Sequence, residues 1–120
     1  MLFLEYPPCT TCKKAKAWLV SRNADFTARH IKDENPTADE LAAWQEKSGL
    51  ELKKFFNTSG LIYKDLGLKD KLPAMSRQEQ LDLLASNGML VKRPILVLDA
   101  TILTGFKEAE WAAALISPQA

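Results

Sequence analysis

The order of apolar and polar positions along the first thirty residues predicts a strand, a helix and a second strand. Residues 2–6 are almost all apolar, which is typical of a strand buried on both faces. Pro7 and Pro8 end this strand, because proline cannot continue a sheet ladder. Apolar residues recur at helical spacing over residues 11–22, and residues 25–31 then alternate as a strand does.

Two capping-box sequences predict helices in the middle of the chain. One begins at Thr37, with Glu40 three residues later, and Ser48-Gly49 ends the helix that follows. The other begins at Ser76, and its helix runs to Asn87-Gly88. Between these helices, the residues around 52–56 and 61–66 predict shorter helical segments.

The last third of the chain predicts a hairpin and a closing helix. Residues 95–98 form an apolar strand, residues 99 and 100 a tight connection, and residues 101–104 a second strand. A helix is expected over about residues 107–115. The order of elements indicates an α/β protein with a thioredoxin-like fold. We expect one domain spanning residues 1–120, with an enlarged helical insert at about residues 37–90.

The composition and the net charge exclude some classes of function. Hydrophobic residues make up 47% of the 120 residues, charged residues 26%, and the net charge is +1. Without a concentrated basic face, we expect no nucleic-acid partner. The first residues lack the basic start and the small-residue cleavage site of a signal peptide, and no apolar run is long enough to cross a bilayer. We therefore expect a cytoplasmic monomer that does not bind membranes.

The chemistry centres on the only two cysteines, Cys9 and Cys12. A bridge between them would close a very small loop and would stabilise the fold little. A helix N-terminus stabilises a thiolate, and Cys9 lies just before the predicted helix. We therefore expect Cys9 to be the nucleophile and Cys12 to be able to attack a mixed disulfide formed on Cys9.

Other interpretations of these residues stay open on sequence alone. A zinc site would need more ligands than the two cysteines and the single histidine, His30, provide, so we expect no metal. A structural disulfide and a pair of incidental buried thiols are the remaining alternatives. Pro94 opens a strand and could be cis or trans, and Arg93 could be an ordinary surface residue.

Three segments together resemble the ArsC/Spx family, which contains glutaredoxin-coupled arsenate reductases and the redox-sensing regulator Spx. They are Pro8-Cys9-Thr10-Thr11-Cys12, Leu66-Gly67-Leu68 and Lys92-Arg93-Pro94-Ile95. The resemblance covers essentially the whole chain. It implies an ArsC-like thioredoxin fold with a helical insert, a nucleophile at Cys9, an anion- or thiolate-contacting Arg93, and a cis Pro94 close to the cysteine loop.

The resemblance also suggests which residues bind substrate. We expect Thr10, Thr11, Asn57 and Pro94 to contribute to the substrate site. Arsenate reductases of this type use two further arginines, and Asn57 and Gly105 stand closest to those positions here. Because guanidinium groups make the strong oxyanion contacts, we expect a trianion to bind this chain more weakly.

Two functions follow from the resemblance. The first is a thiol-dependent reductase of a small oxidant, an oxyanion or a mixed disulfide, with glutathione and glutaredoxin or thioredoxin as reductant and no bound cofactor. The second is an Spx-like redox-switched regulator that binds RNA polymerase. Spx has a longer basic tail after its last helix, whereas residues 117–120 are neutral, which favours the reductase.

Overall fold

A four-stranded sheet and six helices form the part of the protein that the structure, a computed structural model, describes. That part is residues 1–116, with Ile116 described by its backbone only. The strands are β1 (Leu2–Glu5), β2 (Thr27–His30), β3 (Ile95–Val97) and β4 (Ile102–Thr104). The helices are α1 (Thr10–Ser21), α2 (Ala38–Ser48), α3 (Leu61–Asp65), α4 (Leu68–Lys71), α5 (Arg77–Ser86) and α6 (Glu108–Ile116). The neutral end at residues 117–120 lies outside the described residues.

The sheet has the order β2-β1-β3-β4, with β1 parallel to β2 and the other neighbours antiparallel. β1 is flanked on both sides, so Phe3 and Leu4 are fully buried, as the continuous apolar run predicted. β3 and β4 form the predicted antiparallel hairpin. The predicted α/β thioredoxin-like class is therefore confirmed.

Each face of the sheet is covered by a separate apolar cluster, because neighbouring strand residues point to opposite faces. Phe3 belongs to the cluster that contains Trp18 of α1 and Trp111 of α6. Leu4 belongs to the cluster formed with the helices of the insert, which includes Trp44. All three tryptophans are buried. Arg22, at the end of α1, is exposed, and its guanidinium lies over the Trp18 ring, 4.6 Å from the ring centre.

The helices between β2 and β3 follow the capping signals in the sequence. Both capping boxes form: Thr37 and Ser76 accept hydrogen bonds from the N–H groups three residues later, and the glutamates there bond back. Gly49 ends α2 in the left-handed conformation, with φ of 70°. Helix α4 and the 3₁₀ turn at Leu72–Ala74 were not predicted. The exposed residues Lys69, Asp70 and Lys71 separate the few apolar residues that this segment buries, so the sequence shows no helical periodicity there.

One pairing brings the insert to the start of β3. Phe56 and Val91 form an isolated antiparallel bridge. The N–H of Asn57 donates to the Leu90 carbonyl at 2.7 Å, and the N–H of Lys92 donates to the Phe55 carbonyl, also at 2.7 Å. Residues 55–57 are thereby fixed beside residues 90–92, immediately before the Arg93–Pro94 bond. That bond is cis, as the family resemblance implied.

Candidate active site

The cysteine loop lies between the end of β1 and the start of α1. The N–H of Cys9 donates to the Tyr6 carbonyl at 2.9 Å, which closes a tight turn through Pro7 and Pro8. Cys9 is the N-cap residue of α1, and its carbonyl accepts the first helical hydrogen bond from Lys13 at 3.0 Å. The helix therefore begins where the sequence predicted, with Cys9 half-buried at its N-terminus and Cys12 buried in its first turn.

The surroundings of Cys9 favour its thiolate. Partial burial works to raise its pKa, but hydrogen bonds from the Cys12 backbone, the Cys12 thiol, the Thr11 backbone and the Arg93 side chain outweigh it. The pKa of Cys9 is therefore below the ordinary value of 9.0. The two backbone donors are free N–H groups of the first helical turn, which have no carbonyl partner within the helix. This is the arrangement that activates a cysteine nucleophile.

Cys12 has the opposite character. Burial raises the pKa of its thiol to about 12, and the neighbouring Cys9 charge acts in the same direction, although the Tyr6 N–H lowers it. The Tyr6 N–H lies 3.4 Å from Cys12 Sγ. As long as Cys9 is not bonded to another sulfur, Cys12 is therefore a protonated thiol. The Cys12 thiol can then donate a hydrogen bond to the Cys9 thiolate.

Arg93 reaches the cysteine loop from the start of β3. Its guanidinium carbon lies 4.9 Å from the centre of the Tyr6 ring, and Nη1 donates to the Met89 carbonyl at 3.4 Å. The same side chain hydrogen-bonds Cys9 and helps to lower its pKa. Arg93 is therefore placed beside the sulfur that the sequence assigned as the nucleophile.

Cys9 opens onto a cleft of about 370 Å³, which we call the thiol cleft. The cleft is lined by Cys9, Thr11, Asn57, Ser59, Lys92, Arg93, Thr104, Gly105, Phe106 and Lys107. Besides Arg93, the lining contains two further cationic side chains, those of Lys92 and Lys107. An anionic or polar group beside Cys9 would thus face several hydrogen-bond donors and positive charges.

Most of the predicted site residues come together at this cleft. Cys9, Arg93, Thr11 and Asn57 line it, and Cys12 lies beneath Cys9. Thr10 is exposed as the first residue of α1 and is outside the lining. Pro94 is buried and outside the lining, and its carbonyl accepts a hydrogen bond from the Gly105 N–H at 2.8 Å. The chemical roles of these residues stay predictions.

Six lining residues were not among the predicted site residues: Ser59, Lys92, Thr104, Gly105, Phe106 and Lys107. Of these, the family resemblance had drawn attention to Gly105, which stands closest to one of the arginine positions. Gly105 has φ of 72°, a left-handed conformation that other residues adopt at a cost. Its carbonyl accepts a hydrogen bond from Trp111 Nε1 at 3.0 Å. Lys92 lies beside it, since a Cβ added to Gly105 would stand 3.2 Å from Lys92 Cε. For Lys92, the signal available in the sequence was its adjacency to Arg93.

His30 and the acidic residues contribute no metal centre to the described part of the chain. His30 accepts hydrogen bonds at Nδ1 from the N–H groups of Lys32 and Asp33, at 3.2 and 3.1 Å. Among residues 1–116, no three His, Cys, Asp or Glu side chains are grouped to hold an ion. No helix there is long and apolar enough to cross a membrane.

The fold and the site define a thioredoxin-like protein with a cysteine pair at a helix N-terminus. Residues 4–114 match the model of the ArsC family. The chain therefore belongs to the ArsC family, as its motifs indicated.

Individual relatives carry different descriptions. The chain is 50% identical to the uncharacterized protein YusI of Bacillus subtilis, over 92% of this chain and 94% of YusI. It is 31% identical to the global transcriptional regulator Spx of Staphylococcus epidermidis, over 87% of this chain and 78% of Spx. A solved structure described as a possible arsenate reductase from Streptococcus mutans is 50% identical, covers 94% of this chain and 96% of that one, and superposes with a TM-score of 0.86.

Proposed function

We propose that this protein is a thiol-dependent reductase whose nucleophile is Cys9. The observation that carries the proposal is the contrast between its two thiols. Cys9 opens onto the cleft with hydrogen bonds that favour its thiolate, while burial keeps Cys12 protonated directly beside it. An accessible nucleophile with a neighbouring second thiol is what a disulfide-exchanging reductase requires.

The chemistry is a two-step exchange. The Cys9 thiolate attacks one sulfur of a substrate disulfide, so that a Cys9–substrate bond forms, the substrate S–S bond breaks, and the released thiolate takes a proton from water. Cys12 then loses its proton and attacks Cys9 Sγ, which releases the second substrate thiol and leaves a Cys9–Cys12 disulfide. A reductant, either thioredoxin or glutathione with glutaredoxin, returns two electrons and two protons. No bound cofactor is needed.

The cleft favours a disulfide over an oxyanion as substrate. Arg93 is the one arginine in the cleft lining, and Asn57 and Gly105 occupy the places where the family resemblance puts two more. Lys92 and Lys107 supply positive charge, but an ammonium group cannot form the bidentate contact of a guanidinium. The similarity to a possible arsenate reductase keeps arsenate as a candidate. We propose that arsenate is the poorer substrate.

The decisive experiment measures NADPH-coupled reduction of bis(2-hydroxyethyl) disulfide and of arsenate, with glutathione plus glutaredoxin or with thioredoxin plus its reductase. We expect the disulfide to be reduced and Cys9→Ser to lose at least about 1,000-fold of the rate, as when a nucleophile is removed. Cys12→Ser is the matched control: the protein should accumulate a covalent adduct on Cys9, visible by mass spectrometry. Turnover by Cys9→Ser above the rate of the reductant system alone, which itself exchanges with small disulfides, would end the proposal.

A redox-switched regulator is the second candidate, and the 31% identity to Spx favours it. In this function, oxidation of Cys9 and Cys12 to a disulfide would change the affinity for RNA polymerase. Reduced and diamide-oxidised protein would be used to capture purified RNA polymerase, with the Cys9→Ser variant as the control that does not respond to oxidation. Redox-dependent capture, together with no disulfide reduction, would replace the reductase by the regulator.

A further inference from the structure

A second and larger cavity adjoins the thiol cleft. Its volume is about 680 Å³, and it runs beside β4 and the residues that follow α2. Lys92, Thr104 and Lys107 line both cavities. A molecule whose reacting sulfur lies at Cys9 can therefore extend directly into this space, which we call the lysine cavity.

The lysine cavity is cationic. Lys53 and Lys54 follow one another in the 3₁₀ turn Leu52–Phe55 and are exposed, and they line the cavity together with Lys92 and Lys107. Glu51 and Glu110 also line it, so cationic side chains outnumber anionic ones by four to two. Within residues 1–116 the recorded salt bridges join other residues, and none of these four lysines takes part in them. Their charge is available to a ligand.

Lys92 stands where the two cavities meet. It is only partly exposed, and its Cε is 3.2 Å from the position that a Cβ on Gly105 would take. Because Gly105 has no side chain, the Lys92 stem can lie against the backbone at this point. A side chain at position 105 would displace the Lys92 stem, which lines both cavities.

We propose that the lysine cavity binds the carboxylate-bearing part of a small anionic disulfide while Cys9 attacks its sulfur. The proposal deepens the reductase function and rests on it. Its argument is charge complementarity at a site of a suitable size, since cavities of roughly 300–1,000 Å³ hold small ligands. Lys53 and Lys54 lie outside the thiol cleft, so they would select the substrate by its charge and take no part in the sulfur chemistry. The exchange steps and the reductant are those of the reductase.

The experiment compares two small disulfides of similar length and different charge. These are 3,3′-dithiodipropionate, which carries two carboxylates, and bis(2-hydroxyethyl) disulfide, which is neutral. The measured quantity is the ratio of their kcat/KM values at low ionic strength. The test variant is Lys53→Ala/Lys54→Ala, and Lys53→Arg/Lys54→Arg retains the charge. The matched control is Lys69→Ala/Lys71→Ala, which removes two exposed lysines of α4 that line neither cavity.

We expect the wild-type ratio to favour the anionic disulfide and to fall as salt is added. The alanine pair at 53 and 54 should lower the ratio by about 2- to 30-fold, since it removes two exposed charges. The arginine pair should restore it, and the control should match the wild type.

Three outcomes overturn the inference. One is an equal preference of the wild type for both disulfides. Another is a ratio that the alanine pair at 53 and 54 leaves unchanged. The third is an equal loss in the α4 control, which would make the effect one of net charge. In each of these outcomes, Cys9-dependent reduction of the neutral disulfide leaves the proposed function standing. If the wild type does not reduce the neutral disulfide, the proposed function itself fails.

Discussion

The two walls of the thiol cleft are built in different ways. The helix wall consists of residues 6–12, a single stretch of chain in which Cys9, Thr11 and Cys12 are held by hydrogen bonds of the turn and of the first helical turn. The composite wall consists of residues 57–59, 92–93 and 104–107, three segments brought together by the bridge between Phe56 and Val91 and by the β3–β4 hairpin.

This difference separates reactivity from selectivity. The helix wall contains the nucleophile, and most of the hydrogen bonds that lower the pKa of Cys9 come from it. The composite wall adds Arg93 and the lysines, which set the charge that a substrate meets. A change in the helix wall should therefore affect the sulfur chemistry itself, whereas a change in the composite wall should modulate it.

The largest expected effect lies within the helix wall. At pH 7, a thiol with a pKa of about 12 is ionised at least about 1,000-fold less than one with a pKa below 9.0. Brief treatment with iodoacetamide at pH 7, followed by peptide mass spectrometry, should therefore label Cys9 and leave Cys12 unmodified. In the Cys9→Ser control, Cys12 should still react slowly, because its burial remains. Preferential labelling of Cys12 would reverse the assignment of the nucleophile.

A smaller effect is expected at Gly105, which shapes the composite wall. Gly105→Ala should lower the free energy of unfolding by about 1–2 kcal/mol, because its backbone is left-handed. Gly49→Ala is the matched control: its φ is nearly the same, but a Cβ there meets nothing within 4 Å. Denaturant unfolding followed by tryptophan fluorescence would measure both.

The two glycine variants should differ in function. Only Gly105→Ala moves Lys92, so only this variant should also change the rate of disulfide reduction. Equal rates for the two glycine variants would show that residue 105 does not shape the cleft.

The smallest effect is expected at Arg93, because the backbone N–H groups of Thr11 and Cys12 remain when its guanidinium is removed. Arg93→Ala should raise the pKa of Cys9 and slow its alkylation at pH 7 by up to about fivefold, as for an exposed charge contact of roughly 0.2–1 kcal/mol. The thiolate would be titrated by its ultraviolet absorbance, with circular dichroism as the check of the fold.

Arg22→Ala is the control for Arg93→Ala, since Arg22 also stacks on an aromatic ring but lies at the far end of α1. Its removal should leave the pKa of Cys9 unchanged. If Arg93→Ala also leaves that pKa unchanged while the fold is intact, Arg93 is a surface residue and the composite wall has no part in activating the thiol.

Local signals made most of the fold and half of the site predictable. The two capping boxes, the glycine at position 49 and the apolar strands fix helices and strands through contacts between residues close in sequence. Arg93 and Asn57 were found only through the family resemblance, since no local pattern marks either. The segment at residues 68–74 was missed because two short turns bury too few residues to give a periodic pattern.

The sequence by itself determined the helix wall: a cysteine pair directly after a strand and before a helix must place Cys9 at free N–H groups. Only the tertiary structure decided the composite wall, where backbone pairing between residues 55–57 and 90–92 sets Asn57 and Lys92 beside the same cleft. The same structure decided that Lys53 and Lys54 share a cavity with Lys107. The physical reason is the distance along the chain over which each kind of contact acts. Hydrogen bonds of a helical turn join residues up to four apart, whereas contacts between distant segments depend on how the whole chain packs.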